Sequence, residues 1–151
     1  MVTPLTPLDF ARRARRLYSG CEAVIDENQR FTYEMFFERT DRRSAALQSL
    51  GVRPGDRVAY LAPNTHAQLE SFYAVPQIGA VLVPINYRLS PAEFAYLIQH
   101  SGSRVLCAHS DYLAFEGQWH LNVPRSITRF SNDSQTLARM CGSRRFLRTA
   151  H

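Results

Sequence analysis

The sequence predicts an α/β fold with a parallel β-α-β core, and three observations carry that reading. Three short, strongly apolar segments, at residues 57–62, 80–83 and 104–108, have the composition of strands buried in a parallel sheet. Segments of helical periodicity, each with its own start signal, lie between them. Alternation of this kind makes β-α-β units, whose crossovers are expected to be right-handed. A short β-hairpin is expected ahead of this core and an irregular tail behind it.

Thr6-Pro7-Leu8-Asp9 reads as a helix start. Thr6 caps, Pro7 sits in the first turn where its missing N–H costs nothing, and Asp9 follows three residues after the cap. Phe10, Ala14, Leu17 and Tyr18 then share one face, with Arg12, Arg13, Arg15 and Arg16 mostly elsewhere. Two readings stay open for this helix: a solvated helix packed on its own domain, or a basic helix on a membrane surface. Residues 22–25 and 30–33 flank Asp26-Glu27-Asn28-Gln29, a hairpin signal. Thr32 can cap a long helix running to about Leu50. Phe36, Thr40, Arg43, Leu47 and Leu50 recur along it at helical spacing, and Gly51 can close it. A turn at 52–56 leads into the first apolar strand. Pro63-Asn64-Thr65 opens another helix through Phe72, Tyr73 and Ala74, which Pro76 should kink or end. The second strand, expected to be buried, is bounded by Gly79 and Pro84, because proline cannot continue the pairing. Ser90-Pro91-Ala92-Glu93 is a capping box with proline in the first helical position. Its helix continues through Phe94, Leu97 and Ile98 to Gly102, and the third strand follows. Ser110-Asp111 reads as the cap of a further helix. After about Leu113 the alternation dissolves into few aliphatics and scattered arginines, and a helix over residues 134–147 would be interrupted by Gly142 and Ser143.

The 151 residues suffice for one domain with a real core, and 45% hydrophobic with 21% charged residues is ordinary for a globular chain. No apolar run approaches the roughly 20 residues of a membrane helix, and no secretory signal opens the chain. Cys21, Cys107 and Cys141 lack metal-ligand spacing, so reduced thiols and a cytoplasmic location are expected. The net charge of +5 is uneven: residues 1–113 carry 12 arginines against 11 acids, and residues 114–151 carry 6 against 2. A basic tail can hold nucleic acid or an anionic surface. No aromatic-basic motif of a nucleic-acid module accompanies it, so nucleic acid is not the expected partner. All 18 basic residues are arginine, which excludes any mechanism in these residues that needs a lysine ammonium. None of the five histidines lies three or four residues from another, so no helical metal-ligand pair is present. His109, Ser110 and Asp111 are adjacent, but a triad is a matter of geometry and not adjacency.

Four motifs then fall in a recognisable order: Phe31-Thr32-Tyr33-Glu34-Met35-Phe36; Gly51-Val52-Arg53-Pro54-Gly55-Asp56-Arg57-Val58; Leu61-Ala62-Pro63-Asn64; and residues 79–89, Gly-Ala-Val-Leu-Val-Pro-Ile-Asn-Tyr-Arg-Leu, with Glu93 and Ser101 behind. With them, residues 5–113 resemble the N-terminal stretch of the adenylate-forming superfamily, in its AMP-forming acyl-CoA synthetase branch. Met35 stands where the family usually has Glu, so that helix loses the charged half of its capping box. Fatty acids are the substrate the branch suggests by default. The family reaction joins a carboxylate to AMP, releases pyrophosphate and passes the acyl group to CoA; the intact enzyme uses ATP, Mg²⁺ and CoA. The resemblance places Arg88 near the nucleotide end of CoA, where a guanidinium can grip phosphate. A salt bridge or loop hydrogen bond within the domain is the alternative for Arg88. No catalytic residue and no metal ligand is expected in the chain.

The family's phosphate loop is rich in glycine and hydroxyls, and its adenylating lysine lies on a C-terminal lid. Neither is found among these residues, which hold seven glycines and no lysine. The expected division is therefore residues 1–113 as a truncated N-terminal part of the AMP-binding domain and residues 114–151 as a basic tail of low order, for which a frameshift is one origin. Three functions follow: a fragment inactive alone, one chain of a split synthetase completed by a separately encoded partner, or a small basic nucleic-acid-binding protein.

Overall fold

The computed structural model describes residues 6–113 and 128–131. Helix α1 (Pro7–Leu17) leads into an antiparallel hairpin, β1 (Glu22–Asp26) and β2 (Gln29–Thr32). Helix α2 (Tyr33–Ser49), strand β3 (Arg57–Leu61), helix α3 (His66–Gln77) and strand β4 (Val81–Ile85) follow. Helix α4 (Pro91–Ser101), strand β5 (Val105–Ala108), the short helix α5 (Ser110–Leu113) and strand β6 (Thr128–Ser131) complete the order.

Strands β4-β3-β5-β6 form one sheet in that spatial order, every neighbouring pair parallel. Alternation along the strands splits the core in two. Val58, Tyr60, Val105 and Cys107 face one way and pack with Ala46, Leu47 and Val75 of α2 and α3. Ala59, Leu61, Leu106 and Ala108 face the other way, against Phe94, Ala95 and Ile98 of α4. The chain steps from β3 to β4 with α3 on the first face, then back across β3 to β5 with α4 on the second. Opposite steps with helices on opposite faces give both crossovers the same hand. Each Val or Leu fully buried in these layers contributes about 1.5–3 kcal/mol. A third cluster, around Phe31, Phe36 and Phe37, seats the hairpin and α1 on the end of α2.

The helix starts are those the side chains dictate. Thr6 and Ser90 each complete a capping box with Asp9 and Glu93, with proline in the first turn. Thr32 accepts the Met35 N–H at 3.3 Å without a returning carboxylate, as the Met35 substitution implies. Gly102 ends α4 in the left-handed region, at φ 61°, where a side chain would be strained. Pro76 lies in the last turn of α3, one residue before its end.

The second strand departs from expectation in two ways. It runs on through Pro84 to Ile85 instead of stopping at Pro84, and it is only partly buried: Val81 is half exposed, and of its five residues only Ile85 is buried. Both follow from its place at the edge of the described sheet, where one side of the backbone needs no ladder partner and proline is tolerated. Strand β6, which pairs Val105–Ala108 with Thr128–Ser131, lies beyond Leu113 in a stretch where the sequence offers no strand signal. The helix considered over residues 134–147 lies outside the described residues.

Candidate functional site

The parallel strands end on the side where β3 opens into Ala62-Pro63-Asn64 and β4 into Asn86-Tyr87-Arg88. Crevices outside the carboxyl ends of the strands are where open α/β sheets take ligands. A cleft of about 470 Å³ lies there, between Asn64, Gln68 and Phe72 on one side and Asn86, Tyr87 and Arg88 on the other.

Local hydrogen bonds shape its β4 wall. Asn86 Oδ1 accepts the Arg88 N–H at 3.0 Å, an Asx turn that bends the chain away from the strand. Tyr87 packs toward Tyr112, with ring centres 6.3 Å apart. The Arg88 guanidinium carbon stands 5.6 Å from the centre of the Tyr87 ring, within cation–π range. Arg88 is exposed and has no acidic partner among the described residues. Immediately behind, Ser90 N–H and Oγ–H donate to Glu93 at 2.8 and 2.7 Å, which holds the Glu93 carboxyl below its ordinary range and fixes the start of α4.

A second, smaller hollow of about 310 Å³ shares Asn64, Gln68 and Phe72 with the cleft and extends to Asp26 and His66. Asp26 Oδ2 accepts the His66 backbone N–H at 2.8 Å and lies 2.5 Å from His66 Nδ1, so the hairpin carboxylate sits on the positive end of α3. Those hydrogen bonds hold Asp26 below the ordinary carboxylate range.

The sequence reading missed the most deeply buried charges. Glu70 is fully buried and accepts from Arg43 Nη2 at 2.6 Å and from Arg39 Nε at 2.5 Å. Arg43, 1% exposed, also donates to the Tyr60 hydroxyl. Burial opposes the Arg43 charge, but Tyr60 and Glu70 outweigh it and the group stays firmly protonated. Burial pushes the Cys107 thiol up to about 12, which makes it inert at neutral pH. This network joins α2, α3 and β3 and does not open on the cleft. His109 Nδ1 and Asp111 Oδ2 are 3.4 Å apart, and the Asp111 side chain is three-quarters exposed, far from the buried acid that orients a triad histidine. No group of three or more His, Cys, Asp or Glu among the described residues could hold a metal ion. No described helix is long and apolar enough to cross a membrane.

A three-layer α/β unit with a cleft at the carboxyl edge of its parallel strands is a nucleotide-binding type of architecture. The chain belongs to the AMP-binding enzyme family, whose model matches residues 10–140 and so runs past Leu113 through β6. It is 40% identical over 109 residues to 4-hydroxybutyrate–CoA ligase 2 of Metallosphaera sedula, an alignment covering 72% of this chain and 20% of that protein. It is 42% identical over 110 residues to the peroxisomal trans-cinnamate:CoA ligase of Petunia hybrida, covering 73% and 19%. The chain thus spans about a fifth of the length of these relatives. In three dimensions it resembles an anthranilate CoA ligase solved with anthranoyl-AMP, at a TM-score of 0.81 and 22% identity over 92% of this chain and 28% of that one. At that identity the likeness shows the adenylate-forming fold.

Proposed function

We propose that these residues form the amino-terminal section of an AMP-forming carboxylate–CoA ligase and do not catalyse adenylation by themselves. The reading rests on 40% identity over 109 residues to a CoA ligase. The substrate class in this reading is a carboxylic acid; the matched relatives act on acids as different as 4-hydroxybutyrate and trans-cinnamate. The described residues do not fit a Mg²⁺–ATP complex. The sequence holds neither a lysine nor a glycine-rich loop to cradle the ATP phosphates. What they do offer is Arg88. In the proposed reading its exposed guanidinium, backed by Tyr87 and held on the Asx turn, contacts a phosphate of CoA, since a planar fork of donors suits phosphate oxygens. Free thiols at Cys21 and Cys107 suit the cytoplasmic location proposed with it.

Pyrophosphate release tests the reading. The 151-residue chain, given ATP, Mg²⁺, CoA and a panel of aliphatic and aromatic carboxylates, is expected to show no turnover above background. Robust turnover by the chain alone overturns the proposal. A chimera carrying residues 10–113 in place of the matching stretch of the Metallosphaera ligase is expected to be active, and a folded but inert chimera counts against it. Turnover that appears only when a separately encoded remainder is added identifies a split enzyme.

A further inference from the structure

We propose that the outer face of α1 docks on an anionic lipid surface. Helix α1 buries none of its residues, although it packs on the rest of the molecule through Ala11 and Ala14. The surface it leaves exposed, from Arg12 and Arg16 round to Phe10 and Leu17 on the flank beside Ala14, has no partner within the described chain.

That face carries two kinds of side chain in an ordered pattern. Phe10 and Leu17 lie seven residues apart, two turns on one stripe, and are 62% and 51% exposed. Exposed aromatic and aliphatic residues at both ends of one short helix are what an interfacial helix inserts below the headgroups. Arg13 lies between them, and Arg12 and Arg16 form the adjacent stripe. Arg15 is exposed but engaged on the side toward α2, 2.7 Å from Asp41. Arg12 is paired with Asp9 at 2.6 Å, but Arg13 and Arg16 have no acidic partner among the described residues.

The arginines also have a shape. Asp9, Arg12, Arg13, Arg16 and Leu17 line a shallow hollow of about 470 Å³ on this face. Guanidinium groups around a hollow, flanked by apolar side chains, complement a lipid phosphate and the acyl region beside it. Arginines beside an exposed aromatic and an exposed aliphatic side chain suit a lipid surface, whereas nucleic acid would use the arginines but not an aliphatic side chain. The fit is therefore to lipid. The inference is independent of the ligase reading, because it uses neither the cleft nor the sheet.

Vesicle co-sedimentation with the full chain tests it, using phosphatidylcholine vesicles with and without phosphatidylserine. Binding is expected only to the serine-containing vesicles and is expected to weaken as sodium chloride is raised. The Arg13→Gln/Arg16→Gln variant should partition about 25-fold less, since each arginine near a charged surface contributes roughly a factor of five. Phe10→Ser/Leu17→Ser should also lose binding, whereas Arg53→Gln, on another exposed turn, should keep it. All these positions are solvent-facing, so an unchanged circular dichroism spectrum is expected and confirms that the variants fold. Equal pelleting with both vesicle types, no pelleting with either, or full binding by the α1 variants overturns the proposal. So does loss of binding in Arg144→Gln/Arg145→Gln alone, which would move the lipid contact to the C-terminal tail. Salt-sensitive binding to single-stranded RNA without vesicle binding overturns it as well.

Discussion

Arg43 and Glu70 occupy core positions on facing helices, each among residues that any helical wheel would bury. Arg43 stands in the stripe Phe36, Thr40, Arg43, Leu47, and Glu70 in the stripe Ala67, Glu70, Ser71, Ala74, all of them buried. The first stripe was legible as a periodic face; that its arginine needs a buried acid was not, because the acid lies 27 residues away on another helix. A signal did exist. One charge of each sign in the core stripes of two helices implies a pair, since an unpaired buried charge is the costlier arrangement. The same logic fixes the consequence of breaking it. Glu70→Leu removes the buried carboxylate to which Arg43 and Arg39 both donate and leaves the Arg43 charge in the core without it, so a loss of about 3–5 kcal/mol in urea unfolding is expected. Arg43→Met/Glu70→Leu should lose clearly less than the two single changes added, because it removes both charges together. Additive losses would mean that the two groups do not act as a pair.

Helix starts were readable from single side chains because a cap is a local contact. Ser90 and Glu93, or Thr6 and Asp9, are three residues apart and satisfy each other. Strand position was not readable in the same way. The Ala-Val-Leu-Val run at 80–83 has a core composition, yet β4 lies at an edge, and strand order is decided by which helix crosses which face. Strand β6 was missed for a related reason: four residues without alternation around them carry no periodic signal, and only pairing with β5 makes them a strand. The turn into β4 was legible through Gly79. Its φ is +75°, and an added Cβ would stand 3.1 Å from the Cβ of Pro54, whose loop the Gly79 carbonyl ties down by accepting the Gly55 N–H at 2.8 Å. Left-handed backbone costs a non-glycine residue roughly 1–2 kcal/mol. Gly79→Ala is therefore expected to lower stability by at least about 1 kcal/mol, with the crowding at Pro54 adding to it. A thermal midpoint equal to that of the parent chain would show that the turn relaxes freely.

Across the whole molecule, the sequence located one wall of the cleft and none of its depth. Arg88 was singled out by its motif, and it lies where the two strand ends open; Gln68 and Phe72 were not, because α3 reaches the cleft only through the crossover that places it beside β4. The alternative expected for Arg88, a salt bridge within the domain, has no acid to make it among the described residues, while the loop hydrogen bond comes from its backbone N–H and leaves the guanidinium over the Tyr87 ring. That separation makes the proposed role testable in the active chimera. A charge-assisted hydrogen bond to phosphate is worth about 1.5 kcal/mol or more, roughly tenfold in affinity. Arg88→Ala is accordingly expected to raise the KM for CoA about tenfold, while pyrophosphate release from ATP and carboxylate before CoA is added stays unchanged. Arg88→Lys should recover part of the loss, since it keeps the charge but not the planar fork. A purely structural arginine would behave differently: its removal would lower the melting temperature and slow both half-reactions, with no selective effect on CoA. An unchanged KM for CoA in a folded Arg88→Ala chimera would remove Arg88 from the site and leave the cleft without an assigned charge.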